Sequence, residues 1–490
     1  MKIALIIPPR HKGKWVSREY KDGYYDLPHP PYLMLSIAGL IRQQWPEAQM
    51  ELIDAQLEGL GVNQVRERVA AGGFDAAVVS LGIISIRADA PFTHMPCPTI
   101  GVLPAYLDKA FALERYDLGV VALTHTEPEW SVLGALRALA HGTKLEKVEG
   151  LYLPSSPGAH PPAPAGTRPM HLLPMPAFDL AKINHYLDLQ EAEAGTRYFY
   201  LFTSRGCPFN RYFCAPPRGF KPPVTAKTPQ QVVEEIEWLY NNHGVKHYYF
   251  MDDEFALDMD RAKAICRGII NRGLKIRFVI YNHVNLMDEE LARLLAEAGC
   301  TFVRYGVETA SPRIAGQMNK PLDIQRIKRT FRLTKQAGMG ADAFFLLGFP
   351  GEGPSIIRLN RALIRQIKPD RVTLGIVFPK PYSRMYHEMR SKGVLVSDDW
   401  SELFADRLCF RHSYWRDTAH LRKAFKRFHR SCQRWCAWWQ LWDGSRVGLG
   451  PATRLIRWLK TLPAMERIAR SRRLKQMLRP WYKRPSKLEL

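Results

Sequence analysis

Tyr200-Leu-Phe-Thr-Ser-Arg-Gly-Cys207-Pro-Phe-Asn-Arg211-Tyr-Phe-Cys214 is the stretch on which the reading of this chain turns. A short apolar run ends in Thr203-Ser204-Arg205-Gly206 and opens into a loop with two cysteines, as a strand does when its carboxyl end carries a binding site. Working outward, the residues on both sides alternate strand and helix, with a different rhythm on each side.

Toward the amino end, 2–7, 50–54, 76–80 and 118–123 read as buried strands, with helices over 32–44 and 61–71. Such alternation predicts an α/β, doubly wound (Rossmann-like) parallel-sheet domain over 1–152. In open parallel sheets ligands lie beyond the carboxyl ends of the strands, so the expected cofactor loops follow Ser80, Gly101 and Leu123. Residues 154–176 are proline-rich, with little to bury, and predict a linker over 153–178. Toward the carboxyl end, strands at 198–203, 247–251, 276–281, 302–306, 341–347 and 371–378 alternate with helices. The rhythm predicts a partial (β/α)6 TIM-like barrel over 179–395 with its chemistry at the strand ends. A basic helical tail over 396–490 completes the chain.

The opening stretch resembles the cluster loop of radical S-adenosylmethionine (SAM) enzymes, whose signature is Cys-x-x-x-Cys-x-x-Cys, preceded in the cobalamin-associated branch by Thr-Ser-Arg-Gly. The resemblance continues through the polar strand ends Asp252-Asp253-Glu254, Asn282-His283, Gly306-Val-Glu308-Thr309, Gly348-Phe-Pro-Gly351-Glu352 and Pro379-Lys-Pro-Tyr382. It implies a [4Fe-4S] cluster on three thiolates, whose fourth iron takes the amino and carboxylate groups of SAM. Cys207 and Cys214 match the outer ligands, whereas the middle position is Arg211, a permanent cation with no lone pair for iron. These two cysteines cannot make the usual site, and a substitute ligand would have to come from elsewhere in the fold. By the same resemblance Glu308, Gly348 and Gly351 help to hold SAM. Asp252 and Asp253 fit either helix N-caps or a buried, substrate-facing pair.

Ile6-Ile-Pro-Pro9, the run 30–40 and Leu52-Ile-Asp-Ala55 resemble the start of the cobalamin-binding domain that precedes many of these enzymes. The implied cofactor is cobalamin, near Ser80 and Gly101, with His94 and His125 available as cobalt ligands. The chain departs from that pattern in its proline-rich stretch 87–98, in Gly101-Val102 where paired glycines are usual, and in 122–130. A corrin needs side-chain-free backbone against its face, which glycine supplies.

The charge points elsewhere. Of the net +23, residues 411–490 hold 21 Lys or Arg against four acids, so 21 − 4 = 17 excess charges lie there. Leu421, Phe425, Phe428, Cys432, Trp435, Trp439 and Trp442 step by three and four, one face of a helix. That face fits either packing on the barrel or, with Trp458, Trp481 and the basic run 467–475, an anionic membrane surface. No nucleic-acid recognition motif accompanies the charge. Eight cysteines without a secretory pattern, and no membrane-spanning apolar run, place the chain in the cytoplasm, peripheral on the inner face of the membrane if the tail binds there. Two functions follow. One is a radical enzyme that methylates or rearranges an unactivated carbon of an apolar or lipid-like small molecule. The other is a cluster-free relative acting as a binding or accessory protein.

Overall fold

The computed structural model describes residues 1–442 apart from 20–22, 26, 104–108, 125–127, 156–168, 215–223, 382, 398 and 403–406. His125, Tyr382, Trp458, Trp481 and the basic run 467–475 therefore lie outside the described residues.

The first sheet is built from β1 (Lys2–Ile7), β4 (Gln49–Asp54), β5 (Ala76–Ser80), β6 (Thr99–Val102), β7 (Ala122–Thr124) and β8 (Leu151–Tyr152), while β2 (Trp15–Ser17) and β3 (Gly23–Tyr25) form a separate hairpin. Its order is β4-β1-β5-β6-β7-β8, parallel except for β8. The central strands are aliphatic because helices cover both of their faces; Ala76 to Ser80 are all buried. The order reverses between β1 and β5, the place where open α/β sheets keep their ligand crevice.

The second sheet follows β9 (Phe199–Leu201), a small antiparallel pair β10 (Ser204–Arg205) and β11 (Thr225–Ala226), then β12 (His247–Phe250), β13 (Arg277–Asn282), β14 (Cys300–Glu308), β15 (Gly340–Leu347) and β16 (Arg371–Ile376). Six parallel strands lie in chain order from β9 to β16. The two end strands do not pair, so the barrel is open. Its helices start where the sequence supplies a carboxylate: Asp258, Asp288 and Asp323 each accept a backbone N–H in the first turn.

The two sheets share one core. After the stretch outside the description, the proline-rich segment packs between them, with Met170, Leu173 and Phe178 buried, so it is not a free linker at that end. Ala177 N–H donates to Leu35 O at 2.9 Å, and Gly39 lies so close that a β-carbon would stand 2.5 Å from Met175 O. Buried polar groups also cross the junction. Tyr32 OH donates to Glu235 Oε2 at 2.6 Å, Lys227 Nζ donates to Tyr32 OH, and Arg205 Nη1 donates to Glu129 at 2.9 Å.

The aromatic stripe belongs to the core. In the helix Thr418–Trp442, Leu421, Phe428, Cys432 and Cys436 are buried, and Phe425, Trp435 and Trp439 pack against the same core. Arg361 and Arg365 lie over the rings of Phe428 and Trp435. The helix thus covers the open edge at β16, and the face it leaves exposed is cationic, with Arg422, Lys423, Lys426 and Arg427. Among the described residues no helix is long and apolar enough to cross a membrane.

Candidate functional site

The site lies at the carboxyl ends of β9 and β12–β15, where the Cys207–Cys214 loop leaves the sheet. Asp252, fully buried at the end of β12, accepts from Thr203 N–H at 2.7 Å, from Ser204 N–H at 3.1 Å and from the Thr203 hydroxyl. Its carboxylate thus fixes the strand end from which the loop departs rather than capping a helix. Asp253 is exposed. The loop is then held along its length. Asn319 donates to Asn210 O at 2.7 Å, Tyr212 N–H donates to Met318 O, and Met385 N–H donates to Tyr212 O.

Arg211 points into this frame. Its guanidinium stands 3.5 Å from the buried carboxylate of Glu254 and 4.9 Å from the Phe209 ring, which in turn stacks on His283 at 4.8 Å. Next to it, Lys320 Nζ donates to Glu308 Oε1 at 3.0 Å and to Gly306 O at 2.6 Å. Glu308 has φ 66°, a conformation costly for any residue but glycine, at an irregularity in the β14–β15 register. Burial, with Lys320 and Arg211 nearby, pushes the His283 imidazole down to about 3, so it is neutral. Burial also pushes the Cys207 thiol up to about 12 and raises that of Cys214.

The turn after β15 closes the far side. Gly348 and Gly351 have φ 84° and 73°, which turns without a β-carbon allow. Glu352 accepts from Gly348 and Phe349 N–H at 3.2 Å each, and burial raises its carboxyl to about 8. Arg313 donates to Gly351 O at 2.7 Å, and His412 bonds Phe349 O at 2.9 Å.

This donor set does not fit a cluster held by three thiolates. The middle position is a guanidinium engaged with Glu254, and among the described residues no three Cys, His, Asp or Glu side chains are spaced to hold a metal ion.

At the crevice edge of the first sheet a buried ion pair ties the strand ends together. Arg18, fully buried, donates to Asp89 at 2.9 and 2.7 Å, to Gln56 at 3.2 Å and to Pro9 O at 2.9 Å, bridging the ends of β1, β4 and β5. Ser80 bonds Arg18 O at 3.4 Å and Gly82 N–H is held by Asp89. Gly101 does not face this edge: a β-carbon there would meet Leu123 at 2.3 Å, so the glycine serves packing within the sheet. His94 is not a ligand candidate either. It bonds Asp117 O and lies against Gly119, at the amino ends of β6 and β7, on the edge opposite the crevice. Residues 104–108 and 125–127 lie outside the described residues.

Of the residues expected from sequence, the structure brings together Cys207, Cys214, Arg211, Glu308, Gly348 and Gly351. It adds Lys320, and it gives the strand-end residues Glu254 and His283 their partners, Arg211 and Phe209.

Residues 201–359 match the radical SAM superfamily. An uncharacterized methyltransferase of Pyrococcus horikoshii is 25% identical over 415 residues, 82% of this chain and 85% of that protein. The anaerobic magnesium-protoporphyrin IX monomethyl ester cyclase of Rubrivivax gelatinosus is 29% identical over 191 residues, 39% of this chain and 34% of that protein. Among solved structures, the cobalamin-dependent SAM radical enzyme OxsB, with aqua-cobalamin and SAM bound, superposes with a TM-score of 0.68 at 16% identity, over 98% of this chain and 75% of that one. The fold is thus that of the cobalamin-dependent radical SAM proteins. Residues 201–359 carry the likeness to the radical SAM superfamily, and the amino-terminal sheet domain shares the fold of the corresponding part of OxsB.

Proposed function

We propose that this chain binds SAM at the mouth of the barrel, between the Cys207–Cys214 loop and the Glu308 and Gly348–Gly351 strand ends, and does so without a [4Fe-4S] cluster, as a binding or accessory protein. The observation that carries this reading is Arg211 in the middle ligand position, paired with Glu254 at 3.5 Å inside a loop anchored at Asn210 and Tyr212. A guanidinium there offers hydrogen-bond donors where iron would offer coordination. Glu308, held by Lys320, and the backbone of the Gly348–Gly351 turn supply polar groups for ribose, amine or adenine.

A second reading is favoured by the near full-length likeness to a methyltransferase: an enzyme that methylates or rearranges an unactivated carbon of an apolar small molecule, with cobalamin at the amino-terminal domain. The readings part on metal content. Calorimetry with SAM and S-adenosylhomocysteine tests the site itself. Weak binding is expected, with Kd in the range of about 0.1–1 mM, and Glu308→Ala should weaken it about tenfold. Absence of heat at these concentrations would refute SAM binding.

A further inference from the structure

Below the mouth, the inner face of the open barrel carries a row of side chains that the SAM site does not use. Tyr281, Arg304, Asp342 and Arg371 are register partners on four neighbouring strands, β13 to β16. Residues on this face stay partly open: Arg304, Gly306, Phe344, Leu346, Arg371 and Thr373 are half-buried, while their neighbours along each strand, such as Tyr305, Phe345 and Val372, are buried under the helices.

The charges in the row do not balance. Two guanidiniums face a single carboxylate, Asp342, whose side chain is 0% exposed. Arg304 Nε and Arg371 Nε stand 3.6 and 3.7 Å from Asp342 Oδ2, longer than charge-assisted hydrogen bonds of about 2.7–2.9 Å. The carboxylate instead accepts the Thr373 hydroxyl at 3.1 and 2.9 Å. Arg304 spends Nη1 on Tyr281 OH at 2.7 Å, but Arg371 Nη1 is buried with no hydrogen-bond partner among the described residues. A buried guanidinium nitrogen with an unused donor is costly unless an acceptor comes to share its space. The side chain of Arg371 keeps 28% exposure, so a solute can reach it. Beside it are flat apolar surfaces: the Arg304 guanidinium lies over the Tyr281 and Phe344 rings at 5.3 and 5.6 Å.

We propose that the barrel lumen binds a small molecule that joins a flat aromatic body to an oxyanion, carboxylate or phosphate, and that Arg371, seconded by Arg304, anchors the oxyanion. A planar guanidinium fork matches two oxygens of either group. Arg304 lies four residues before Glu308 on β14, roughly 13 Å at the strand rise. A molecule of about that length would reach from the anchor to the SAM site. The proposal rests on reading the barrel as a small-molecule site, and not on whether SAM occupies its mouth.

The test is calorimetry on the full chain with benzoate, phenyl phosphate and the neutral isostere benzamide. The two anions should bind, benzamide at least about tenfold more weakly, and Arg371→Gln should weaken the anions about tenfold while Arg371→Lys falls between. The proposal is overturned if neither anion binds, if benzamide binds as well as benzoate, or if Arg371→Gln leaves anion affinity unchanged. Should Arg371→Gln fail to fold, unchanged affinity in Arg371→Lys overturns it equally. SAM titrated in parallel separates the two readings: loss of SAM binding with anion binding intact strikes the mouth of the barrel and leaves the lumen standing.

Discussion

Glu308 occupies left-handed backbone at φ 66°, worth about 1–2 kcal/mol of strain, and is kept there by Lys320 and the packed sheet around it. Strain held in this way belongs to a working site rather than to a decayed one. The neighbouring Glu352 allows a pH test. Its carboxyl is raised by burial from 4.5 to about 8, so between these values the unfolded chain releases a proton that the folded chain keeps. Stability contributed by this group is therefore full below about pH 4.5 and declines as pH rises toward 8. Glu352→Gln should flatten the loss of stability from pH 5 to 8 in urea unfolding; an unchanged slope would show the carboxyl ionised in the fold. Cys207, Arg211, Cys214 and Glu308 were legible because motif spacing lies along the chain. Glu254 was legible only as a polar strand-end residue and not as the partner of Arg211; Lys320 pairs back to Glu308 around a helix, and the Arg304–Asp342–Arg371 row pairs across strands far apart in sequence. Gly101 was misleading because a glycine facing a neighbouring strand's leucine reads the same as one facing a ligand.

At the scale of elements, strand–helix alternation is a strong signal, and six barrel strands stand where aliphatic runs predict them. The carboxyl-terminal helix shows where periodicity stops deciding. A three-and-four stripe of aromatics specifies a buried face, but not which surface buries it. Here β16 is an unpaired edge, and covering it with Phe428 and Trp435 hides both the edge and the rings. Phe428→Ala should therefore cost about 3–5 kcal/mol in urea unfolding, while leaving any attraction to anionic vesicles unchanged. Loss of vesicle binding without loss of stability would return the stripe to the membrane. A membrane role for this helix rests on its cationic face alone, and such attraction weakens with salt over roughly 10 Å at 0.1 M.

The whole molecule is two parallel sheets around one core, pinned by buried ion pairs such as Glu129–Arg205 that connect the cluster loop to the first sheet. Taking one partner from such a pair costs far more than the pair contributes, so the relative placement of the sheets is tightly specified. Within this frame two ion pairs stand at the strand ends: Arg18 with Asp89 on the first sheet, and Arg211 with Glu254 in the cysteine loop, where the proposed function has the cluster absent. Iron and sulfide content after anaerobic reconstitution tests this most directly. The unmodified chain should hold far less than the four irons and four sulfides of a [4Fe-4S] cluster, and Arg211→Cys should gain them. Stoichiometric iron and sulfide in the unmodified chain would contradict the account.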